Sequence, residues 1–583
     1  MASVDLETSP PSGAPGSTEE AVPALPVPLV IGVTGHRDLV AAELPLLEQR
    51  VRDFFESLRT RYPGVSLELL SPLAEGADRL VARVALELDV RLIIPLPMQR
   101  DLYLEDFQEP HSREEFELLV ERGLEFRVPW PATEPLPDRA TERELQYARL
   151  GVFIASHCHI LLALWDGMSS SQIGGTAQVI EFHQRDYMPG VSEQRGEPSL
   201  NLINDESDLV YHLTCSRQQH RRPLARAGEA SWLTLDETNP RTSELPERYD
   251  RVFTRIAEFN ADALSNEKKI KHEAWALSHA DDPVPEGARR IEQVFKAADC
   301  LAGKFQRLYY RAIRTMLSVA AAAGFCFVAF ADLPDLPLMI YPYLGLFGIG
   351  IAVFYLEERG GWHRRFVDYR ALAESLRIEF YWTAAGVRSA TPTKYNHDSY
   401  LSKQDVELGW IRHVLRFATR RANIQVDDLP ERAGLDFAID RWIGEQRDYF
   451  GRSAPRHAAN HERNSLIGRF CFWAGIVIAV ILALVQFSIS DAVKVPLMAL
   501  MGLLPLITAG VAVYAHKRAD TENIKKDRFM HRIMTEALRR LDGATTDDDR
   551  REVLRALGQT ALDDEAQWIM RQRERRPDSQ EFG

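Results

Sequence analysis

The stretch LVIGVTGHR, residues 29–37, decides the reading of the chain. Leu29, Val30 and Ile31 run through Gly32 and Val33 into a polar Thr34-Gly35-His36-Arg37. An apolar run that ends on a glycine reads as a strand buried on both faces and feeding a tight turn. In an open α/β sheet, ligands bind at the carboxyl ends of the strands. Gly35 lets the backbone approach a ligand closely, and His36 and Arg37 follow where an anion would lie.

Working outward, strand and helix signals alternate. Leu47, Val51, Phe54 and Leu58 mark one face of a helix, and 66–71 reads as a second strand. A helix opens at Ala77 with Leu80, Val81, Val84 and Leu88 inward, and 91–95 is a third strand. Ser112 with Glu115, and Thr141 with Glu144, have the spacing of capping boxes that start the next two helices. Residues 159–165 form a strand, 176–185 a helix and 210–214 the last strand. This alternation predicts an α/β domain with a mostly parallel, Rossmann-like sheet.

Four loops follow strands or open helices: Thr34-Gly35-His36-Arg37, Glu75-Gly76-Ala77-Asp78, Trp165-Asp166-Gly167 and Gly174-Gly175-Thr176. Each alone is an ordinary connection. Together, opening on one sheet edge, they form a candidate ligand site. Gly174-Gly175-Thr176 offers backbone N–H groups and a hydroxyl to a phosphate at a helix start. Arg37 either grips a phosphate with two N–H groups or forms a surface ion pair. Asp78 and Asp166 either hold ribose hydroxyls or cap helices. His36 serves the ligand or its own loop, and Trp165 either stacks on a base or packs beneath the edge.

The 583 residues exceed one domain. With 70 basic against 84 acidic residues the net charge is −14, which argues against a nucleic-acid binder. Five widely spaced cysteines suggest neither a disulfide framework nor a metal site, and so a reducing compartment. Residues 1–27 read as a disordered tail without the features of a signal peptide. The α/β domain takes 28–220. An insertion or helical connector follows at 221–289, preceded by the basic run RQQHRRPLAR at 217–226, either a solvated face or an anion contact.

The second half is of membrane type. Segments 315–331, 336–356, 470–490 and 495–515 carry no charge. At 1.5 Å per residue these lengths reach about 26–32 Å, the thickness of a bilayer core. An amphipathic helix at 290–310, with Ile291, Val294, Phe295, Ala298, Leu301, Phe305 and Leu308 on one face, runs straight into the first segment. Lys304, Arg307, Arg311, Arg314, Arg359, Arg364, Arg365, Arg463, Arg469, Lys517, Arg518, Lys525 and Lys526 flank the two pairs on one side. The positive-inside rule then predicts a multi-pass inner-membrane protein with both termini cytoplasmic. The organisation expected is a first hairpin at 290–390, a helical linker at 391–465, a second hairpin at 466–545 and a charged tail with one short helix at 546–583. Similar helices after each pair, at 366–382 and 523–541, suggest a duplicated module. Gln486 is the one notable polar group in the apolar segments, and Gly345, Gly348 and Gly350 are candidates for helix packing.

GHR at 35–37, GAD at 76–78, ALWDG at 163–167 and GGT at 174–176 resemble the SLOG superfamily, Rossmann-like relatives of the LOG enzymes and the Smf/DprA proteins. The resemblance implies a nucleotide-derived ligand, such as NAD or ADP-ribose, at this edge. Enzymatic relatives that cleave nucleoside monophosphates carry PGGxGTxxE with a catalytic Glu. Here IGGTAQVIE at 173–181 lacks the proline and the third glycine and displaces Glu181, which favours ligand sensing over hydrolysis. YRALAE at 369–374 and WIGEQRDYF at 442–450 are similar to the SLATT family of two-helix membrane domains. That likeness implies a homo-oligomeric effector of bacterial conflict systems that perturbs the bilayer or opens a pore. The alternative is a membrane-anchored nucleotide-cleaving enzyme, in which Glu75 and Glu181 are the residues to test.

Overall fold

A computed structural model describes residues 27–128, 139–170, 173–188, 191, 208–218, 226–235, 239–332, 337–387, 400–401, 406–423, 432–485 and 490–574. The tail at 1–26, Gln486 and most of the basic run at 217–226 lie outside the described residues.

Strand β1 (Leu29–Gly35) leads through α1 (Leu44–Arg61), β2 (Leu67–Leu70), α2 (Ala77–Glu87), β3 (Arg91–Leu96), α3 (Arg100–Leu104) and α4 (Pro110–Val120) to β4 (Leu124–Arg127). Then come α5 (Arg139–His157), β5 (Ile160–Trp165), α6 (Thr176–Arg185) and β6 (Val210–Thr214). The sheet runs on into β7 (Ala230–Leu233) and β8 (Arg241–Thr242), in the order β4-β3-β2-β1-β5-β6-β7-β8. Strands up to β6 pair in parallel, and β7 and β8 are antiparallel. Side chains alternate across the sheet. Ile31, Leu69 and Leu162 pack toward α1 and α2, and Val30, Leu70 and Leu161 toward α5 and α6.

Three readings of this half need correction. Val210–Thr214 is not the last strand, because β7 and β8 extend the sheet into the supposed connector. Strands this short, with polar residues interleaved, leave no apolar run to recognise, and β4 (LEFR) is hidden for the same reason. The capping spacings also mislead. Helix α4 starts at Pro110 and α5 at Arg139, so Ser112 and Thr141 lie within their helices.

After α7 (Glu247–Ser265) and α8 (Glu267–Glu273) the chain is helical: α9 (Glu286–Asp332), α10 (Ile340–Gly360), α11 (Trp362–Ala384), α12 (Gly409–Asn423), α13 (Arg432–Ala438), α14 (Glu445–Val485), α15 (Asp491–Arg518), α16 (Asp520–Asp542) and α17 (Asp547–Arg573). Four helices are long and apolar enough to cross a membrane. Helix α9 runs unbroken for 47 residues: Ile291, Phe295, Leu301 and Phe305 are buried, while Phe325, Phe327 and Phe330 further on are exposed. No residue in the apolar window of α10 is buried.

The two hairpins repeat each other. Helix α10 ends at Gly361 (φ 57°, ψ 36°) and α15 at Ala519 (φ 58°, ψ 33°), and in each case the next residue starts a new helix. At both elbows the cap N–H donates to a carbonyl three residues earlier, Glu358 or His516. Helix α11 folds back along α9, as α16 does along α14. The hairpins meet through α9 and α15, where Gly324 admits Leu506.

The C-terminal helix is not short. Helix α17 has 27 residues, opens with a capping box between Thr546 and Asp549, and buries Leu554, Leu557, Leu562 and Ile569. Trp382 Nε1 of α11 donates to the Leu554 carbonyl at 2.9 Å, and Gly558 leaves room for that indole. A dense charged outer face masks this stripe in the sequence.

Nor is 391–465 merely a linker, since α12 docks the sheet onto the helices. Arg420 of α12 pairs with Glu68 of β2, their side chains 4% and 5% exposed. The Val30 N–H donates to His159 Nδ1 (3.0 Å), and the His159 ring meets that of His413 of α12 edge-on at 4.2 Å. Burial keeps both imidazoles well below their ordinary pKa, so they stay neutral. The Val27 N–H and carbonyl bond to the Asn260 amide of α7 (2.8 and 2.9 Å). All these contacts lie at the amino ends of the strands, so the carboxyl edge faces away from the junction.

Glu68→Leu leaves the Arg420 guanidinium buried without a counter-charge. It is expected to cost about 3–5 kcal/mol in denaturant unfolding of the detergent-solubilised chain, most of it recovered in Glu68→Leu/Arg420→Met.

Candidate functional site

Strand order reverses between β1 and β5: successive strands step one way from β1 to β4 and the other way from β5 to β8. At such a reversal the connections diverge and leave a crevice at the carboxyl ends. Thr34 pairs with Ala163 and Gly35 with Leu164, which sets the two following loops side by side.

His36 and Asp166 close across this point. The Asp166 N–H donates to His36 Nε2 at 3.1 Å, and Asp166 Oδ1 lies 3.2 Å from the same nitrogen. Because Nε2 accepts, the ring proton belongs on Nδ1. Burial lowers the His36 pKa below its ordinary value, with Asp166 opposing. Asp166 Oδ1 also accepts from the Met168 N–H (2.9 Å), holding its own turn. Gly167 completes that turn at φ 81°. Trp165 is occupied: its Nε1 donates to the Met168 carbonyl (3.0 Å), and its ring lies 5.4 Å from His212.

The first two loops lock together. The Ala77 N–H donates to the His36 carbonyl at 3.1 Å. A Cβ on Gly35 would sit 2.4 Å from Ala77 Cβ, and one on Gly76 (φ 82°) 2.4 Å from the Arg37 carbonyl oxygen. Gly174 (φ 71°) is pressed against the α5 backbone at Ala148 and donates to Gln178 Oε1 (3.0 Å). Gly175 then caps α6 and Thr176 begins it, so the N-terminus of α6 is built as an anion site is built.

Arg37 is exposed, and its guanidinium lies 5.2 Å from the ring centroid of Tyr147 of α5. The Asp78 carboxyl is 6% exposed and pushed up to about 7 by burial, against the pull of Arg37. Glu75 accepts from the Ser112 hydroxyl, and buried Arg79 donates to the Ser112 hydroxyl and to Glu115 (2.8 and 3.1 Å). Asp38 pairs with Arg217 (3.0 Å), and Gln218 bonds to the Asp38 and Leu39 carbonyls (2.9 and 3.0 Å), so the start of the basic run braces the first loop. Residues 219–225 lie outside the described residues.

Glu181 stands apart. It is exposed on α6, 3.9 Å from Arg185. The structure also brings in residues the sequence did not mark. Tyr147 carries a buried hydroxyl without a partner among the described residues, and Glu43 accepts from the Ser216 N–H (2.8 Å) while its Oε1 has no partner there. Both sit in helical stretches that read as core or surface, with no local signal. Among the described residues no cluster of His, Cys, Asp and Glu suits a metal.

Fold and site together define a doubly wound α/β domain with an anion-ready edge, carried by a chain with four membrane-length helices. Comparison of the chain with protein-family models, curated proteins and solved structures yields no match.

An acid whose folded pKa is raised loses stability as pH climbs from its unfolded value to its folded one. Asp78→Asn is therefore expected to out-stabilise the parent chain by a margin that opens above pH 4 and levels off above pH 7. At 1.36 kcal/mol per unit its ceiling is about 4 kcal/mol. Melting temperatures of both chains between pH 4 and 8 check this.

Proposed function

We propose that the chain is a membrane-anchored sensor that binds a nucleotide-type ligand at the β1–β5 reversal and answers through its membrane helices. The observation that carries this reading is the His36–Asp166 pair closing over the reversal, beside the N-terminus of α6. Phosphate oxygens would meet the N–H groups of Gly175 and Thr176 and the fork of Arg37. NAD and ADP-ribose are the first ligands to try. Glu181, turned to solvent beside Arg185, supports binding without LOG-type cleavage, as does its displaced position in the sequence.

The response runs through the packed body of the protein. The sheet rests on α12, α12 on α9 and α11, and α9 continues into the first apolar segment. A ligand shifts such a body only by its differential affinity for two arrangements. With the flanking basic residues inside, the α/β domain is cytoplasmic. Several copies assemble in the inner membrane, and bilayer perturbation on ligand binding serves a defence role of the SLOG–SLATT kind.

The test is a thermal-shift screen of the solubilised full chain with NAD, ADP-ribose, AMP and cyclic nucleotides, followed by product analysis and dye release from vesicles. A ligand at a hundred times its Kd is expected to stabilise by about 2.7 kcal/mol, to be recovered unchanged, and to trigger release. Gly175 has an ordinary φ of −72°, so Gly175→Asp places a repelling charge there without backbone strain and is expected to abolish both effects. Absence of any nucleotide shift sinks the sensor reading, and a consumed ligand replaces it with an anchored enzyme.

A further inference from the structure

Beyond the apolar segments, the two hairpins enclose a space of about 220 Å³ with walls from α9, α11, α14, α16 and α17. That exceeds the ~150 Å³ that admits a benzene ring. Its two sides differ in charge. On the first hairpin, Arg370 is met by Asp299 (3.3 Å) and by Glu374. On the second, the carboxylates outnumber their partners. Glu565 is 4% exposed; its Oε2 accepts from Lys526 Nζ at 2.6 Å, while Oε1 has no partner among the described residues. The neighbouring Asp564 Oδ2 is buried and has none either. Asp527 accepts from the Ser453 hydroxyl (2.5 Å), with His457 Nε2 at 3.8 Å.

Of the other cations in the wall, Arg377 pairs with Glu374 and Arg518 with Asp520, which leaves Lys526 and His457 to Asp527, Asp564 and Glu565. Burial, reinforced by Glu565 and Asp527, raises the Asp564 pKa against the opposing Lys526 and Arg571. Buried acceptors left unmade cost about 1–3 kcal/mol each, more when charged. A cation with N–H donors would satisfy these orphan carboxylate oxygens, both of whose residues line the space. The wall also suits an alkyl-ammonium: Lys526 Nζ already lies 5.1 Å from the Trp568 ring centroid, and Phe366 packs edge-on to that indole. A second space of about 140 Å³ shares Lys526, Asp564, Trp568 and Gln572 with the first, so these four side chains stand between the two compartments.

We infer that the space between the hairpins is a binding site for a small organic cation, a diamine or a guanidinium, held by Asp564 and Glu565 beside Trp568. It is separate from the sheet edge and does not rest on the nucleotide reading. Because its walls come from both repeats, an occupied site ties the two hairpins together.

The experiment titrates the full chain in detergent with putrescine and agmatine, reading melting temperature and tryptophan fluorescence. Butane-1,4-diol, and KCl or MgCl2 at matched ionic strength, are the controls. The expected result is saturable stabilisation by the amines alone, weakened tenfold or more in Asp564→Asn. That variant breaks no bond seen in the structure and should fold at least as stably as the parent without amine. Glu565→Gln is the second variant, with the same expected loss, and Trp568→Phe should reduce the fluorescence response, to which Trp275 and Trp442 of the same wall also contribute. Equal shifts from the diol or the salts overturn the proposal, as does amine binding that Asp564→Asn and Glu565→Gln leave unchanged.

Discussion

Parallel strands joined by helices cannot cover every edge of their sheet. Where successive connections diverge, the carboxyl ends of two adjacent strands are left between helices of opposite faces. In this chain that place is the seam between β1 and β5, and much of the α/β domain serves it. Gly35 and Gly76 bring two loops to backbone contact, Gly174 sets the N-terminus of α6 against α5, and His36 and Asp166 bond across the gap. A side chain at any of the three glycines would push the loops apart. The groups at the edge are thus mutually held, and the ordering cost of any ligand proposed there would be reduced in advance.

The opposite edge of the sheet has another task. Glu68, His159 and the backbone of Val27 are bonded to α7 and α12, through groups that are charged or polar and nearly dry. Burying such groups gives little net stability, but a misplaced docking would strand them, so they select one orientation of the sheet on the helices. The carboxyl edge and the apolar helices are thereby parts of a single packed body. One apolar core runs from β1 and α1 through α9 and α11 to α17.

Legibility followed the strength of local pattern. The central strands and the apolar helices were readable because a run such as Leu29 to Val33, or twenty uncharged residues in a row, suits almost no element but a buried strand or a spanning helix. Helix α6 was placed to the residue because Gly175 ends the loop and Thr176 starts the helix. The short strands β4, β7 and β8 were not readable, since a strand of two to four residues takes its conformation from its neighbour's hydrogen bonds. Ser112 shows how a correct local rule is overridden: its hydroxyl serves Glu75 and Arg79 across space and caps nothing. At the site the glycine loops were visible, but Tyr147 beneath Arg37 and Glu43 beside Ser216 were brought there by the fold alone.

The matched elbows at Gly361 and Ala519 have an unequal mechanical character. Glycine adopts the left-handed conformation freely, whereas a residue with a Cβ is held in it at a cost of about 1–2 kcal/mol. The first hairpin therefore bends at a relaxed joint and the second at a sprung one. Straightening α15 into α16 would release that strain, while straightening α10 into α11 would release none. Two similar hairpins thus differ in their joints, and any large motion of the apolar helices has its easier starting point in the second.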